Sequence, residues 1–302
     1  MKGKRIIIAG GSGMIGSALT TYLLNRGHKV EWLSHSGSSG PVPVHAWNPA
    51  QGDLPSTAIR SADVIVNLAG AGIADKRWTT SRKEVLRSSR VDGNIALAQL
   101  LEEDAGKVKS FISSAAMGIY GNRGHDWCKE DDNIEGNDFL VEICRDWEKS
   151  IRKVASVGLR AVWLRISVVL SMEGGALPKI EGPMKYGVAN YFGSGRQFYS
   201  WIHIQDVVRM FAYAIDSEDM NGAYNAAAPK PLPMKEWISE LVEVYPKSPW
   251  IVPVPSFALR IGLGEMADVL LNSVRLDIQK LQQTGFTFEY PTLTEAGREL
   301  FD

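Results

Sequence analysis

The sequence predicts an α/β fold, a doubly wound parallel sheet with a smaller C-terminal substrate domain. Three observations carry this reading. Short β-rich runs alternate with helical patterns through the first half, several of those runs are apolar almost throughout, and a glycine-rich turn joins the first run to the first helix. Alternating β and α patterns are what parallel βαβ units produce, and strands covered on both faces lose the in-and-out alternation of half-buried ones. The candidate strands are Arg5–Ala9, Lys29–Ser34, residues 63–68, residues 110–114 and Arg160–Ile166. Between them, residues 15–25 and 91–101 carry apolar side chains at helical spacing. Gly27 stands where a left-handed residue would close the first helix.

After Ser171 the periodicity fades, and Gly174-Gly175, Gly182-Pro183 and Gly193-Ser194-Gly195 punctuate the chain. Regular pattern returns at Asp206, the predicted N-cap of a helix with Val207, Met210, Phe211, Ala214 and Ile215 on one face. From Pro229 the prediction is short helices separated by prolines. The expected organisation is a nucleotide-binding domain over residues 1–170 plus 201–228, with 171–200 and 229–302 forming the smaller domain.

Composition narrows the function classes. The 302 residues are 45% hydrophobic, enough for a proper core, and 33 Lys and Arg nearly cancel 34 Asp and Glu to leave a net charge of −1. That balance argues against nucleic acid or an acidic membrane surface as the partner. No uncharged apolar run approaches the ~18 residues of a spanning helix, and Ile6-Ile7-Ile8-Ala9 is too short for a signal peptide's apolar region. Cys128 and Cys144 cannot make a disulfide framework and have no metal-ligand partners at useful spacing. The expectation is a metal-free cytoplasmic protein, monomer or homodimer, acting on a small molecule.

The run Gly10-Gly11-Ser12-Gly13-Met14-Ile15-Gly16 is the strongest signal in the chain. It follows a strand and opens a helix, the context that turns a glycine pattern into a dinucleotide fingerprint of the Rossmann type. Glycines let the backbone approach a pyrophosphate, and the N–H groups at the helix start bind its charge. A site for NAD ends its second strand with a carboxylate for the ribose hydroxyls. Here that strand ends Ser34-His35-Ser36, which suits a ribose 2′-phosphate, so the expected cofactor is NADP(H). The plainer alternative is a solvated turn that ignores the ribose.

Further motifs follow in order: Asn67-Leu68-Ala69-Gly70, Arg90-Val91-Asp92-Gly93, Val168-Val169-Leu170-Ser171, Gly193-Ser194-Gly195-Arg196-Gln197, Ser200-Trp201-Ile202-His203, Val252-Pro253-Val254-Pro255 and Leu263-Gly264-Glu265-Met266-Ala267. Together they resemble the atypical extended short-chain dehydrogenases/reductases called epimerase-family proteins, which carry a small C-terminal domain of undefined role. The resemblance covers essentially the whole chain. It implies a Rossmann sheet, NADP(H), and cofactor contacts from the glycine loop, Ser34, His35, Leu68, Ala69, Gly70, Glu84, Arg90, Ser113 and the segment at Arg165. For Arg90 the alternative is a surface helix charge.

Ordinary members of that superfamily use a Ser on the fifth strand and a Tyr-x-x-x-Lys pair on the next helix. Alignment on Tyr120-Gly121 puts Ala115 at the serine position, and registering Glu148 puts Leu140 and Cys144 at the Tyr and Lys positions. The usual pair is therefore absent. Ser114, Tyr120 and Cys144 are the candidate substitutes, with Glu142 and His203 also in view; a packed aromatic and a small buried thiol are the alternatives for Tyr120 and Cys144. Arg196, Tyr199 and Trp201 are the candidate substrate residues. Two readings remain: an NADP(H)-dependent oxidoreductase or epimerase-like enzyme, and a non-catalytic NADP(H)-binding sensor that kept the fold.

Overall fold

Seven parallel strands build the central sheet: β1 Arg5–Ala9, β2 Lys29–Ser34, β3 Val44–Ala46, β4 Val64–Asn67, β5 Ser110–Ala116, β6 Arg160–Ile166 and β7 Gly222–Ala226. The structure is a computed structural model that describes residues 3–35 and 40–302. The spatial order is β7-β6-β5-β4-β1-β2-β3, so the chain starts in the middle, winds outward to β3, and returns through β4 to the other side. That reversal beside β1 opens a crevice at the C-terminal ends of β1 and β4, where α/β sheets bind ligands.

Both faces of the sheet are covered. Ile6 and Ile8 join Val64, Val66, Val162 and Leu164 in one core with helices α1 (Met14–Asn25) and α6 (Ile204–Asp216). Ile7 and Ala9 join Ile65, Phe111 and Trp163 in the other, under α3 (Thr80–Glu103) and α4 (Phe139–Ala155). A short helix, α2 (Ser56–Arg60), precedes β4. Alternate residues of one apolar strand feed two different cores, which is why the run reads as continuously hydrophobic.

Local signals explain the helix limits. Gly27 has φ +81°, and the N–H groups of Gly27 and His28 bond the carbonyls of Leu24 and Leu23, so α1 closes in a Schellman motif. Helix α3 begins eleven residues before the predicted 91, because Thr79 caps it by accepting the Arg82 N–H. Its early turns are polar and bury only Leu86, so apolar periodicity could not mark them.

The predicted cap at Asp206 is corrected. His203 precedes α6, and its Nδ1 accepts the Gln205 N–H at 3.3 Å. Asp206, wholly buried in the first turn, instead accepts the N–H groups of Glu289 and Tyr290 at 2.8 and 2.9 Å, tying the C-terminal chain to the sheet's cover. The Nε2 of His203 bonds Glu299 at 2.9 Å, so a neutral ring protonated at Nε2 serves both partners. Burial lowers the His203 pKa, outweighing the upward pull of Glu299, Asp206 and Glu289. A folded pKa below the unfolded value of about 6.5 means the contribution is complete above that pH and is lost as pH falls. The melting temperature should therefore drop between pH 7 and pH 5, and His203→Asn, which keeps a cap but cannot titrate, should show a shallower drop. Equal slopes for the two proteins would remove His203 from the acid response.

Beyond the sheet, a second core gathers Leu177, Met184, Tyr199, Trp201, Trp237 and Leu293. It is built from α5 (Leu177–Lys185), α7 (Met234–Val244) and the terminal helix Leu293–Phe301, which Thr292 and Glu295 start with a capping box. The strand Val188–Phe192 pairs in parallel with Trp250–Val254, and α8 (Ser256–Leu263) follows. No helix among the described residues is long and apolar enough to cross a membrane.

Candidate dinucleotide site and adjoining cavity

Each glycine of the β1–α1 turn has its own steric reason. Gly10 has φ +79°, and a Cβ there would lie 2.7 Å from the backbone of Leu68. A Cβ on Gly11 would strike the Trp32 ring at 2.3 Å, and one on Gly16 would lie 2.2 Å from the Gly10 carbonyl. These three close the turn against the sheet. Gly13 differs. It is exposed, it caps α1 without a side-chain acceptor, and among the described residues a Cβ there would meet only the Gly10 carbonyl, at 3.4 Å. The space before the helix start is thus open, and the first-turn N–H groups at Met14 and Ile15 lack intrahelical partners. A pyrophosphate fits this cradle, where a side chain would fill it.

The flanking residues fall into line with it. Ser34 ends β2 half-buried, and exposed His35 follows with its ring 6.3 Å from that of Trp47. Ser36 lies outside the described residues. At the end of β4, Asn67 holds the next turn by accepting the Ala69 N–H at 3.0 Å and by donating to Asn94 at 2.6 Å; Asn94 in turn donates to Ser150 at 2.9 Å. This buried polar chain fixes Leu68, Ala69 and Gly70 against α3 and α4, and no motif in the sequence signals it. A Cβ on Gly70 would lie 3.4 Å from the Arg90 guanidinium.

Arg90 marks where this line meets a cavity. It gives one N–H to the Leu86 carbonyl at 2.9 Å, and its guanidinium stands 5.2 Å from the Trp147 ring centroid. Burial lowers its pKa from the ordinary arginine value. A half-open cavity of about 240 Å³ lies between the C-terminal ends of β5 and β6, the start of α4, and the segment 268–274. Leu140 and Cys144 both line it, so the positions matched to the missing Tyr and Lys do face one chamber. The wall from residues 268–274 arrives from far along the chain and carries no signature in the sequence.

Several predicted assignments are corrected by their partners. Cys144 is in the wall, but burial pushes its thiol up to about 12, too high for proton exchange near neutral pH. Ser114 is buried and donates to the Asn67 carbonyl at 3.2 Å, and Ser113 donates to the Ser114 carbonyl at 2.9 Å, so both hydroxyls are spent within the sheet. Tyr120 is turned inward: its hydroxyl donates to Asn225 Oδ1 and accepts from Arg165, both at 2.7 Å, and burial raises its pKa against the downward pull of Arg165. Arg165, assigned to the cofactor, is 1% exposed and committed to interior partners. Its guanidinium gives Nε–H and Nη2–H to Glu148 at 2.6 and 3.0 Å, and Nη1–H to Tyr120 and to the Glu130 carbonyl.

On the substrate side, Tyr199 reaches the cavity, although its hydroxyl donates to the Leu270 carbonyl at 3.2 Å. Trp201 does not; it is fully buried in the second core with its indole N–H on the Lys230 carbonyl. Arg196 lies exposed in its glycine turn, in a separate notch with His125 and Arg260. Glu84 is exposed on α3 and is not in the cavity wall. Glu142, exposed on α4, and the buried cap His203 are likewise absent from that wall.

The sequence profile of the NAD dependent epimerase/dehydratase family matches residues 6–227, and a domain of unknown function, DUF1731, matches residues 254–300. The chain belongs to this epimerase family. An epimerase family protein of Staphylococcus haemolyticus is 35% identical over 99% of both chains. Among solved structures, the human epimerase family protein SDR39U1 (isoform 2), crystallised with NADPH, superposes with TM-score 0.87 at 28% identity and 98% coverage of each chain. A nucleoside-diphosphate sugar epimerase from Corynebacterium glutamicum is 31% identical with TM-score 0.79, over 99% of this chain and 59% of that one. The Rossmann architecture of the epimerase-family chain is thus that of its relatives.

Proposed function

We propose that this family member binds NADP(H) along the line from Gly13 to Arg90 and acts as an oxidoreductase or epimerase-like enzyme on a small molecule held in the adjoining cavity. The carrying observation is continuity: the open cradle at Gly13, the turn Leu68–Gly70 and the Arg90-lined chamber share one sheet edge. The NADPH in the human relative supports the cofactor. Bound NADPH supplies a hydride. The chain's own residues do the rest: Gly13 admits the pyrophosphate, the start of α1 binds its charge, Ser34 and His35 take the 2′-phosphate, and Arg90 borders cofactor and substrate. Met117, Leu140 and Val274 exclude water from the chamber.

Ala115, Leu140 and Cys144 supply no group that trades protons at neutral pH. A positioned acid or base is worth about 10²–10⁴ in rate, so turnover of generic aldehydes, ketones and sugar nucleotides should fall well below the ~10 s⁻¹ median of enzymes. Steady-state assays across a carbonyl panel check this, and ordinary rates would require a proton donor among the wall residues. The same vacancy of acid and base favours a second reading, a protein that binds NADP(H) to sense it. Free, buried Cys128 and Cys144 suit a reducing cytoplasm under either reading.

NADPH should bind at least tenfold more tightly than NADH, about 1.4 kcal/mol. Fluorescence titration with each cofactor is the test. Equal affinities would remove Ser34 and His35 from the 2′-phosphate.

A further inference from the structure

We infer that the cavity receives a compact, largely apolar carbonyl compound and rejects sugars. The inference rests on the NADP(H) reading above, because it concerns what stands beside the nicotinamide. At about 240 Å³ the chamber lies below the roughly 300–1,000 Å³ of pockets for drug-sized ligands, which limits the occupant's size. Its walls are apolar side chains from separate parts of the chain: Ile73, Met117, Leu140, Ile143, Val168 and Val274.

The polar groups in those walls are largely committed elsewhere. Ser167 Oγ donates to the Ala226 carbonyl at 2.8 Å, and the Tyr199 hydroxyl to the Leu270 carbonyl at 3.2 Å. The Asp268 carboxylate is held by Arg260 at 3.0 Å. The Cys144 thiol stays protonated and is a weak donor. Among the described residues, Arg90, Asn272 and the Trp147 indole are left to meet a ligand.

A hexose brings four or five hydroxyls, each wanting partners. Those turned toward these walls would lose water without replacement, at about 1–3 kcal/mol each. Every buried methylene of an apolar compound gains about 0.8 kcal/mol in the same place. The two effects have opposite signs and repeat for each group, so the walls discriminate strongly. A carbonyl compound needs one oxygen placed, and Arg90, with a single N–H spent on Leu86, has donors for it.

Isothermal titration of the NADPH-loaded protein with cyclohexanone, UDP-glucose and glucose tests this. Cyclohexanone should saturate, and both sugars should bind at least tenfold more weakly. Leu140→Asn, which sets an amide in the wall, should weaken the ketone by tenfold or more. Ile73→Ser, on a partly exposed loop, gives a second variant if Leu140→Asn melts early. A ketone that does not saturate, a sugar that binds as tightly, or ketone affinity unchanged in a folded variant overturns the inference. NADPH is titrated first, and the ligand series is repeated without it. Failure of NADPH to bind then counts against the cofactor reading, while the ketone and sugar still score the walls.

Discussion

Glu148→Ala should lower stability by about 3–5 kcal/mol, one of the largest effects of any single substitution in this chain. The reason is the partner it strands. Arg165 is 1% exposed, and Glu148 takes two of its N–H groups, at 2.6 and 3.0 Å, as well as one from Arg152 at 2.8 Å. The Tyr120 hydroxyl and the Glu130 carbonyl cannot neutralise the charge that remains. Burial of Arg165 opposes its ionisation and the Glu148 carboxylate more than restores it, leaving its pKa raised. For a chain of this size the loss corresponds to a fall in melting temperature of roughly 5–8 °C. The double substitution Glu148→Leu with Arg165→Met should cost less than the sum of the two singles, because it removes both charges together. Thermal melts of the four proteins complete the cycle. A Glu148→Ala melt within about 2 °C of the parent would show that the interior tolerates the lone guanidinium.

That pair also shows where sequence reading stops. Arg160–Ile166 is a strand to the residue in both readings, because its apolar run is unmistakable. Nothing in the run says whether Arg165 faces the cofactor or the interior; that depends on Glu148 and Tyr120, brought in by α4 and the turn after β5. Position matching set Leu140 and Cys144 one helical turn apart, and that spacing brings both to the wall of one chamber. It misplaced Ser114 and Tyr120 because their hydroxyls have hydrogen-bond partners distant in sequence. The edge strands β3 and β7 were not legible at all. Val44–Ala46 is three residues long, and Gly-Ala-Tyr-Asn-Ala has no β-branched member, so β7 exists through pairing with β6 rather than through its own propensity. Likewise Trp201 is a candidate substrate residue in the sequence, and only the packing of the second core takes it out of reach.

Gly13→Val should abolish NADPH binding, with affinity reduced at least a hundredfold, while the protein melts as the parent does. The two halves of that expectation come from different facts. The backbone at Gly13 has φ −75° and ψ 168°, extended geometry that valine adopts readily, and among the described residues beyond its chain neighbours a Cβ there meets no atom nearer than 3.4 Å. Folding therefore has no reason to object. The neighbouring glycines would be poor choices, since a Cβ at Gly10, Gly11 or Gly16 would lie 2.7 Å or less from existing atoms and would disturb the turn itself. A valine at 13, in contrast, projects its two methyl groups into the open space before the start of α1. A pyrophosphate must come within hydrogen-bond reach of the N–H groups there, and those methyls would hold it off while shielding the charge it seeks. A hundredfold loss is about 2.7 kcal/mol, comparable with one or two charge-assisted hydrogen bonds. Fluorescence titration with NADPH beside a thermal melt separates the outcomes. Parental affinity in a normally melting variant would mean that the cradle at Gly13 does not hold the cofactor, and a collapsed melt would mean that the open space is needed for folding.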